Sequence, residues 1–378
     1  LRTHDSETYI ENSTLREISG EEPTRAAAIW VTGAGQHILR QVEIRSARRA
    51  ASFRQSEGSS VAALDVAMTD VSVELQRDRR AEQMSRGDPI SDELDPGAIT
   101  LIRAKGTLER IYCNMTGYRN GFENPPERGP DFVSCVDADD FAEVDITNIG
   151  MGRVGRALEP RQQTKFNVNG LWVGSYIEAG LYLPNSARDS VVTLNNAFFF
   201  SELRGIRVPE NETCAAISLE DDHTVTATSV WIIARDSHAV AADNGVLDLR
   251  DARIEDSEGA AILATINFGF TGRSLDIRNA RRGLQISTED RPFQITNLRL
   301  EPGPQVPSGA FYIQALAPRT DDFIDNFLIR DVQAGSFFTD DNALIMRRGV
   351  FEGSEIAEDE DLGTVFDGMS DVVWKLTD

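Results

Sequence analysis

The sequence predicts an all-β fold, a right-handed parallel β-helix solenoid of about a dozen coils that uses residues 1–378 as one domain. Three observations predict it. A six-residue pattern recurs along the chain, a second short pattern follows it at most recurrences, and strong helix signatures are scarce.

The recurring pattern reads apolar, any, small polar or Gly, apolar, any, apolar. It occurs at Leu39–Ile44, Met68–Val73, Ile146–Met151, Val168–Val173, Leu194–Phe199, Ala227–Ile232, Leu249–Ile254, Ile295–Leu300, Ile324–Ile329 and Met369–Trp374. Ile277-Arg-Asn279-Ala280 fits for four positions and then places Arg282 where an apolar residue is expected. The apolar residues on either side of the polar one cannot all face inward along one flat strand, so the chain must bend there. Asn, Asp and Gly tolerate the backbone of such a bend. The polar position is therefore a corner, and corners stacked about 4.8 Å apart place their amides within reach of one another along the axis.

The second pattern is a small residue followed by apolar, any, apolar. Gly180-Leu181-Tyr182-Leu183, Gly205-Ile206-Arg207-Val208 and Gly283-Leu284-Gln285-Ile286 show it, with looser copies at Gly259–Ile262 and Ala50–Phe53. Corner-to-corner spacings run 22, 26, 33, 22, 28, 18 and 29 residues from Asn148 to Asn326. One turn of a three-sided coil with loops of variable size accommodates such a spread. A leucine-rich repeat predicts a strict period with a helix in each unit, and a propeller predicts longer units of four antiparallel strands.

On these residues the chain resembles the pectate-lyase-like superfamily of right-handed parallel β-helices, which includes polysaccharide lyases, polygalacturonases, phage tailspikes and secreted passenger proteins. The resemblance covers about residues 8–374. It is specific for fold and weak for function, because one fold hosts many sites. The Gly-His-Gly with spaced aspartates of polygalacturonases and the Asp-Pro-His of alginate epimerases are missing, as is a calcium-and-Arg constellation like that of pectate lyases.

Composition bounds the partners. A net charge of −23 disfavours nucleic acid, whose phosphates need a cationic footprint. No apolar run reaches the roughly 18 residues of a membrane span. Basic charge is carried almost wholly by Arg, since Lys occurs only at 105, 165 and 375. Of three cysteines, Cys113 and Cys135 could pair across neighbouring coils, but reduced packing residues are the favoured expectation. The chain opens at Leu1 in mid-pattern and reads as a processed or trimmed piece, with a removed signal peptide left open.

Two segments depart from the coil. Glu74–Ile99 is charged, could begin with a short surface helix, and carries Gly-Asp-Pro and Asp-Pro-Gly. Arg119–Phe132 carries Asn-Pro-Pro and Arg-Gly-Pro. Both read as loops, able to wall a groove or merely tolerated. The acidic stretch Glu355–Asp361 reads as solvated surface, with calcium capture and subunit contact as lesser readings. No cofactor is otherwise implied, and calcium stays the cation to consider.

The fifth position of each hexapeptide should point to solvent. Three consecutive aromatics there, Trp172, Phe198 and Trp231, are followed by Arg253, Arg281 and Arg299. Aromatics suit the apolar faces of sugar rings and Arg suits carboxylates or sulfates, while cover by a loop or another subunit is the competing account. On the small-residue strand the superfamily resemblance implies a substrate cleft. There Tyr182 is a binding candidate, and Arg207 with Glu210 and Glu212 offers a cation and two carboxylates for hydrolysis or β-elimination. Asp221, Asp222 and His223 form the only His beside two acids, able to act together only in a loop.

The function these readings favour is an extracellular, cell-surface or virion-associated protein that recognises a polysaccharide or cell-surface glycan, with cleavage by a lyase or hydrolase as an added expectation. Homotrimerisation follows by analogy with tailspikes. The alternative is a non-catalytic structural or adhesive fibre protein.

Overall fold

The computed structural model describes residues 1–16, 27–46, 49–56, 58, 60–75, 97–115, 134–184, 189–201, 214–265, 267–288, 291–302, 311–315, 322–331, 345–353 and 369–375. They form a parallel, right-handed all-β solenoid, as the hexapeptides predict. The chain divides into two compact units, Leu1–Val192 and Thr193–Asp378.

In the first unit one sheet stacks Thr8–Arg16, Gly35–Ser46, Leu64–Leu75, Lys105–Met115, Glu143–Pro160 and Lys165–Leu183 in chain order. A second sheet stacks Arg2–His4, Ala27–Thr32, Arg49–Arg54, Ile99–Ile102 and Ser134–Asp139, and continues into the C-terminal part of Glu143–Pro160.

The second unit repeats the plan. Its first sheet begins with Val191–Ser201, from Thr193 onward, and continues through Thr224–Ala234, Gly245–Glu255, Phe268–Ala280, Phe293–Pro302, Phe323–Arg330, Ile345–Glu352 and Met369–Lys375. Ala215–Leu219, His238–Ala242, Ala260–Ala264, Arg282–Thr288 and Phe311–Ala315 form its second sheet. The coil number differs slightly from the expected dozen; among the described residues the first sheet has six rungs in one unit and eight in the other.

Corners explain both the successes and the failures of the pattern. Asp70, Asn148, Asn196, Asp251, Asn297, Asn326 and Asp371 all have φ between 50° and 60°, the left-handed conformation their residue types were expected to supply; Gln41 and Ser229 share it at 52° and 57°, and Gly170 has φ 81°. Asn12, Arg110, Ser274 and Arg348 are also corners, at φ 50°, 51°, 56° and 53°, and their hexapeptides are imperfect. Asn279 is a bend as well, at φ 53°, but it is not the corner of its rung. Ser274 is: Leu275 pairs with Ala252 and Leu298.

Corner side chains contact one another along the axis. Asn326 Nδ2 donates to Asn297 Oδ1 at 2.6 Å. In the first unit Arg110 donates to both carboxylate oxygens of Asp70, at 2.6 and 3.0 Å. A Cβ at Gly170 would lie 2.6 Å from Asn148 Oδ1, so glycine serves there for both its φ and its bareness.

Inward residues stack like on like. Leu39, Met68, Leu108, Ile146 and Val168 form one buried column of the first unit. In the second unit Phe270 stacks with Phe268 and Phe293, both at a centroid separation of 6.1 Å.

Cys113 and Cys135 form a disulfide with a Cα separation of 6.2 Å, which corrects the expectation of reduced packing residues. Both side chains are buried on successive strands, so the bond ties together the two ends of the segment between Met115 and Ser134. Cys214 is buried outside this bond. Glu74 and Leu75 at one end of the predicted excursion and Ile99 at the other belong to strands; residues 76–96, the segment 119–132 and the acidic stretch 355–361 lie outside the described residues.

Candidate functional site

The fifth hexapeptide position faces outward, and parallel register turns it into a column. In the first unit the column runs Thr14, Glu43, Ser72, Tyr112, Gly150, Trp172. Tyr112 and Trp172 are 45% and 47% exposed, a large apolar surface left in water on a rigid sheet. Glycines shape the ground around them. Gly152 lies under the Tyr112 hydroxyl, and Gly174 under the Trp172 ring, where a Cβ would approach within 2.5 Å. Tyr112 escaped the sequence reading because its corner is Arg110.

In the second unit the column begins with Phe198 and Trp231, whose rings meet edge to face at 5.1 Å. Trp231 is 42% exposed, and its indole N–H donates to Glu255 at 2.9 Å. Arg253 covers part of the ring at 5.3 Å. The indole is thus held in one orientation with part of its face open.

The arginine stripe takes a different form from the one expected. Register places Asp276, not Arg281, between Arg253 and Arg299, because the corner of that rung is Ser274. Two residues further along each strand, the neighbouring column runs Glu255, Arg278, Glu301, Arg330, Glu352. The two columns make a checkerboard of charge. Arg253 donates to Glu255 at 2.6 Å, Arg278 to Asp276 at 2.7 Å, Arg299 to Glu301 at 2.8 Å, and Arg330 to Glu301 and Glu352 at 2.8 and 2.7 Å. Burial works against the Glu301 charge, but hydrogen bonds from Arg299 and Arg330 outweigh it and hold the carboxyl below its ordinary range. This face neutralises itself and leaves Arg253 and Arg299 already engaged.

Arg207, Glu210 and Glu212 lie outside the described residues. Asp221, Asp222 and His223 do occupy a turn, between Ala215–Leu219 and Thr224–Ala234, but they diverge. His223 is buried, while Asp222 is exposed and pairs with Arg291.

Tyr182 is nearly buried beneath the Arg156 guanidinium, 3.8 Å from the ring centroid. Around it the first unit holds an ion cluster that the sequence did not reveal. Arg156 donates to Glu178 at 2.6 and 2.8 Å and to Glu159 at 2.9 Å, and Arg161 pairs with Glu159 at 2.8 Å and Asp137 at 3.2 Å. Each of these carboxylates has a guanidinium partner, an arrangement that suits structural pairing. Among the described residues no group of three His, Cys, Asp or Glu is placed to hold a metal ion, and no helix is long and apolar enough to cross a membrane.

Two histidines, buried His37 and half-buried His238, carry a pH dependence. Burial pushes His37 below its ordinary pKa, and neither ring nitrogen has a hydrogen-bond partner among the described residues. Burial and then the charge of Arg282 push His238 down, and the Ala260 N–H donates to its Nδ1 at 2.8 Å. A depressed folded-state pKa means the folded protein resists protonation. The stability from these groups is complete above the unfolded value of about 6.5 and falls as pH drops below it. Urea midpoints should therefore fall between pH 7.5 and 5.5, above the range in which carboxylates titrate. His37→Leu should flatten that slope, and an unchanged slope would remove His37 from this account.

The chain was compared with family models, curated proteins and solved structures, and nothing matched in any of the three.

Proposed function

We propose that this solenoid recognises a polysaccharide or cell-surface glycan outside the cell, using the outward aromatics of each unit. The observation that carries the reading is the exposure of Tyr112 and Trp172 in one unit and Trp231 in the other, at the same hexapeptide position on rigid sheets. A repeating ligand suits a repeating surface. Sugar rings present apolar faces that stack on aromatic side chains, and hydroxyls that bond to neighbouring polar groups. The buried Cys113–Cys135 disulfide supports an oxidising compartment, in keeping with a secreted, surface or virion setting. Kinship with the pectate-lyase-like superfamily and a tailspike-like homotrimer belong to this same proposal.

One observation favours the alternative of a non-catalytic fibre: the self-neutralised checkerboard of the second unit provides body rather than a site. The test is affinity electrophoresis through a panel of neutral and acidic polysaccharides. Wild-type protein should be retarded by at least one of them, and Trp172→Ala and Trp231→Ala should each weaken retardation about tenfold, the worth of one stacked aromatic. Retardation by none, or retardation that survives both substitutions, contradicts the proposal. Unsaturated-uronate absorbance and reducing ends followed on the same panel distinguish lyase, hydrolase and simple binding.

A further inference from the structure

A cavity of about 400 Å³ opens on the second unit, across the corner from the checkerboard, and no sequence pattern signals it. Its walls come from four successive rungs: Arg250 and Asp251, then Arg273, then Gln294 and Thr296, then Phe323. Register puts Arg250 directly beside Arg273, so the two side chains leave the sheet from neighbouring strands, about 4.8 Å apart at the backbone. Arg250 is engaged by Asp248, which accepts from its Nε at 3.0 and 3.1 Å. Arg273 is exposed, and among the described residues it forms no ion pair, with Asp251 or with any other carboxylate.

The cavity thus holds a guanidinium and a carboxylate that do not satisfy each other, with the amide of Gln294, the hydroxyl of Thr296 and the ring of Phe323 between or beside them. We propose that it binds a single acidic sugar unit of the hexuronate class. The ligand carboxylate pairs with Arg273, ring hydroxyls donate to Asp251 and exchange hydrogen bonds with Gln294 and Thr296, and one ring face lies on Phe323. The volume falls within the range of small-ligand sites and admits one sugar ring. The chain's net charge of −23 does not forbid an anion here, because exposed charges are screened beyond about 8–10 Å at physiological ionic strength and the local guanidinium decides. This site does not depend on the aromatic column.

The experiment is saturation-transfer NMR with the full chain, titrating glucuronate, glucose and acetate separately. Glucuronate should bind saturably, and glucose and acetate at least tenfold more weakly. Arg273→Gln should erase the preference for glucuronate over glucose, and Asp251→Asn should weaken both sugars. Both residues are exposed, so far-UV circular dichroism should be unchanged. Trp172→Ala with Trp231→Ala should leave glucuronate binding intact, which separates this site from the polysaccharide reading. Equal binding of glucose, equal binding of acetate, no glucuronate binding, or a preference that survives Arg273→Gln would each overturn the proposal.

Discussion

Replacing Phe270 with alanine is expected to destabilise the second unit by about 3–5 kcal/mol, the cost of emptying a well-packed aromatic site. Phe270 is fully buried, and its ring packs near-parallel to two others, Phe268 on its own strand at an interplanar angle of 18° and Phe293 on the next rung at 30°. The surroundings cannot collapse easily into the gap. Leu247 and Phe293 are its register partners on the adjacent rungs, and those strands are held in place by parallel hydrogen bonding on both edges. Gly272 adds a further constraint, because a Cβ there would already lie 3.1 Å from the Phe270 ring and 2.6 Å from Leu275. Thr271→Ala, one residue away on the outward side, should change stability by less than about 0.5 kcal/mol, as surface substitutions do. Urea unfolding followed by circular dichroism compares the two. Similar losses for both variants would mean that the alternation of inward and outward residues is misassigned.

Removing the Cys113–Cys135 bridge by a double serine substitution should cost about 3 kcal/mol, from the loop-closure entropy of a 22-residue separation. Its position adds to the effect. Both sulfurs are buried, on the strands that flank the segment between Met115 and Ser134, so the bond ties those two strands directly to each other. Buried serine hydroxyls without partners would add their own penalty, so paired alanine substitutions give the cleaner measurement. Native protein should resist millimolar dithiothreitol and become reducible in urea. Thiol titration that finds three reactive thiols in unfolded protein that has never met a reductant would show the bridge absent.

Sequence carried most of the fold because the corners demand a backbone conformation few residues tolerate. Asn, Asp and Gly announce it at Asp70, Asn148, Gly170 and Asn297, where flanking apolar residues mark the inward faces. The corners it missed are instructive. Arg110 and Arg348 adopt the same left-handed conformation at a cost, and each is tied to a carboxylate of the preceding rung, Arg110 to Asp70 and Arg348 to Asp325. The Arg348 hydrogen bond holds the Asp325 carboxyl below its ordinary range. That compensation comes from a residue 40 positions away in one case and 23 in the other, and no local pattern reveals it.

The candidate site was legible in part, for the same reason. Trp172, Phe198 and Trp231 follow well-formed hexapeptides and occupy the outward positions expected of them. Arg281 does not, because Gly272 and Ser274 weaken the true pattern of that rung while Asn279 imitates a corner. One such slip turned an alternating row, Arg253, Asp276, Arg299, into an apparent run of three cations. The cavity beside Arg273 depends on long side chains from four rungs meeting in space, which spacing along the chain does not encode.

The central claim is that the outward aromatics are a ligand surface and not a contact between copies of the chain. Acrylamide quenching of tryptophan fluorescence, read as the difference between wild type and the Trp172→Phe and Trp231→Phe variants, measures this directly in the assembled protein. If the claim holds, both indoles are quenched equally well across a wide range of protein concentration and become shielded when a bound polysaccharide is added. Indoles that are shielded from the start, indifferent to every polysaccharide, and exposed only on dilution would contradict it and assign the column to assembly.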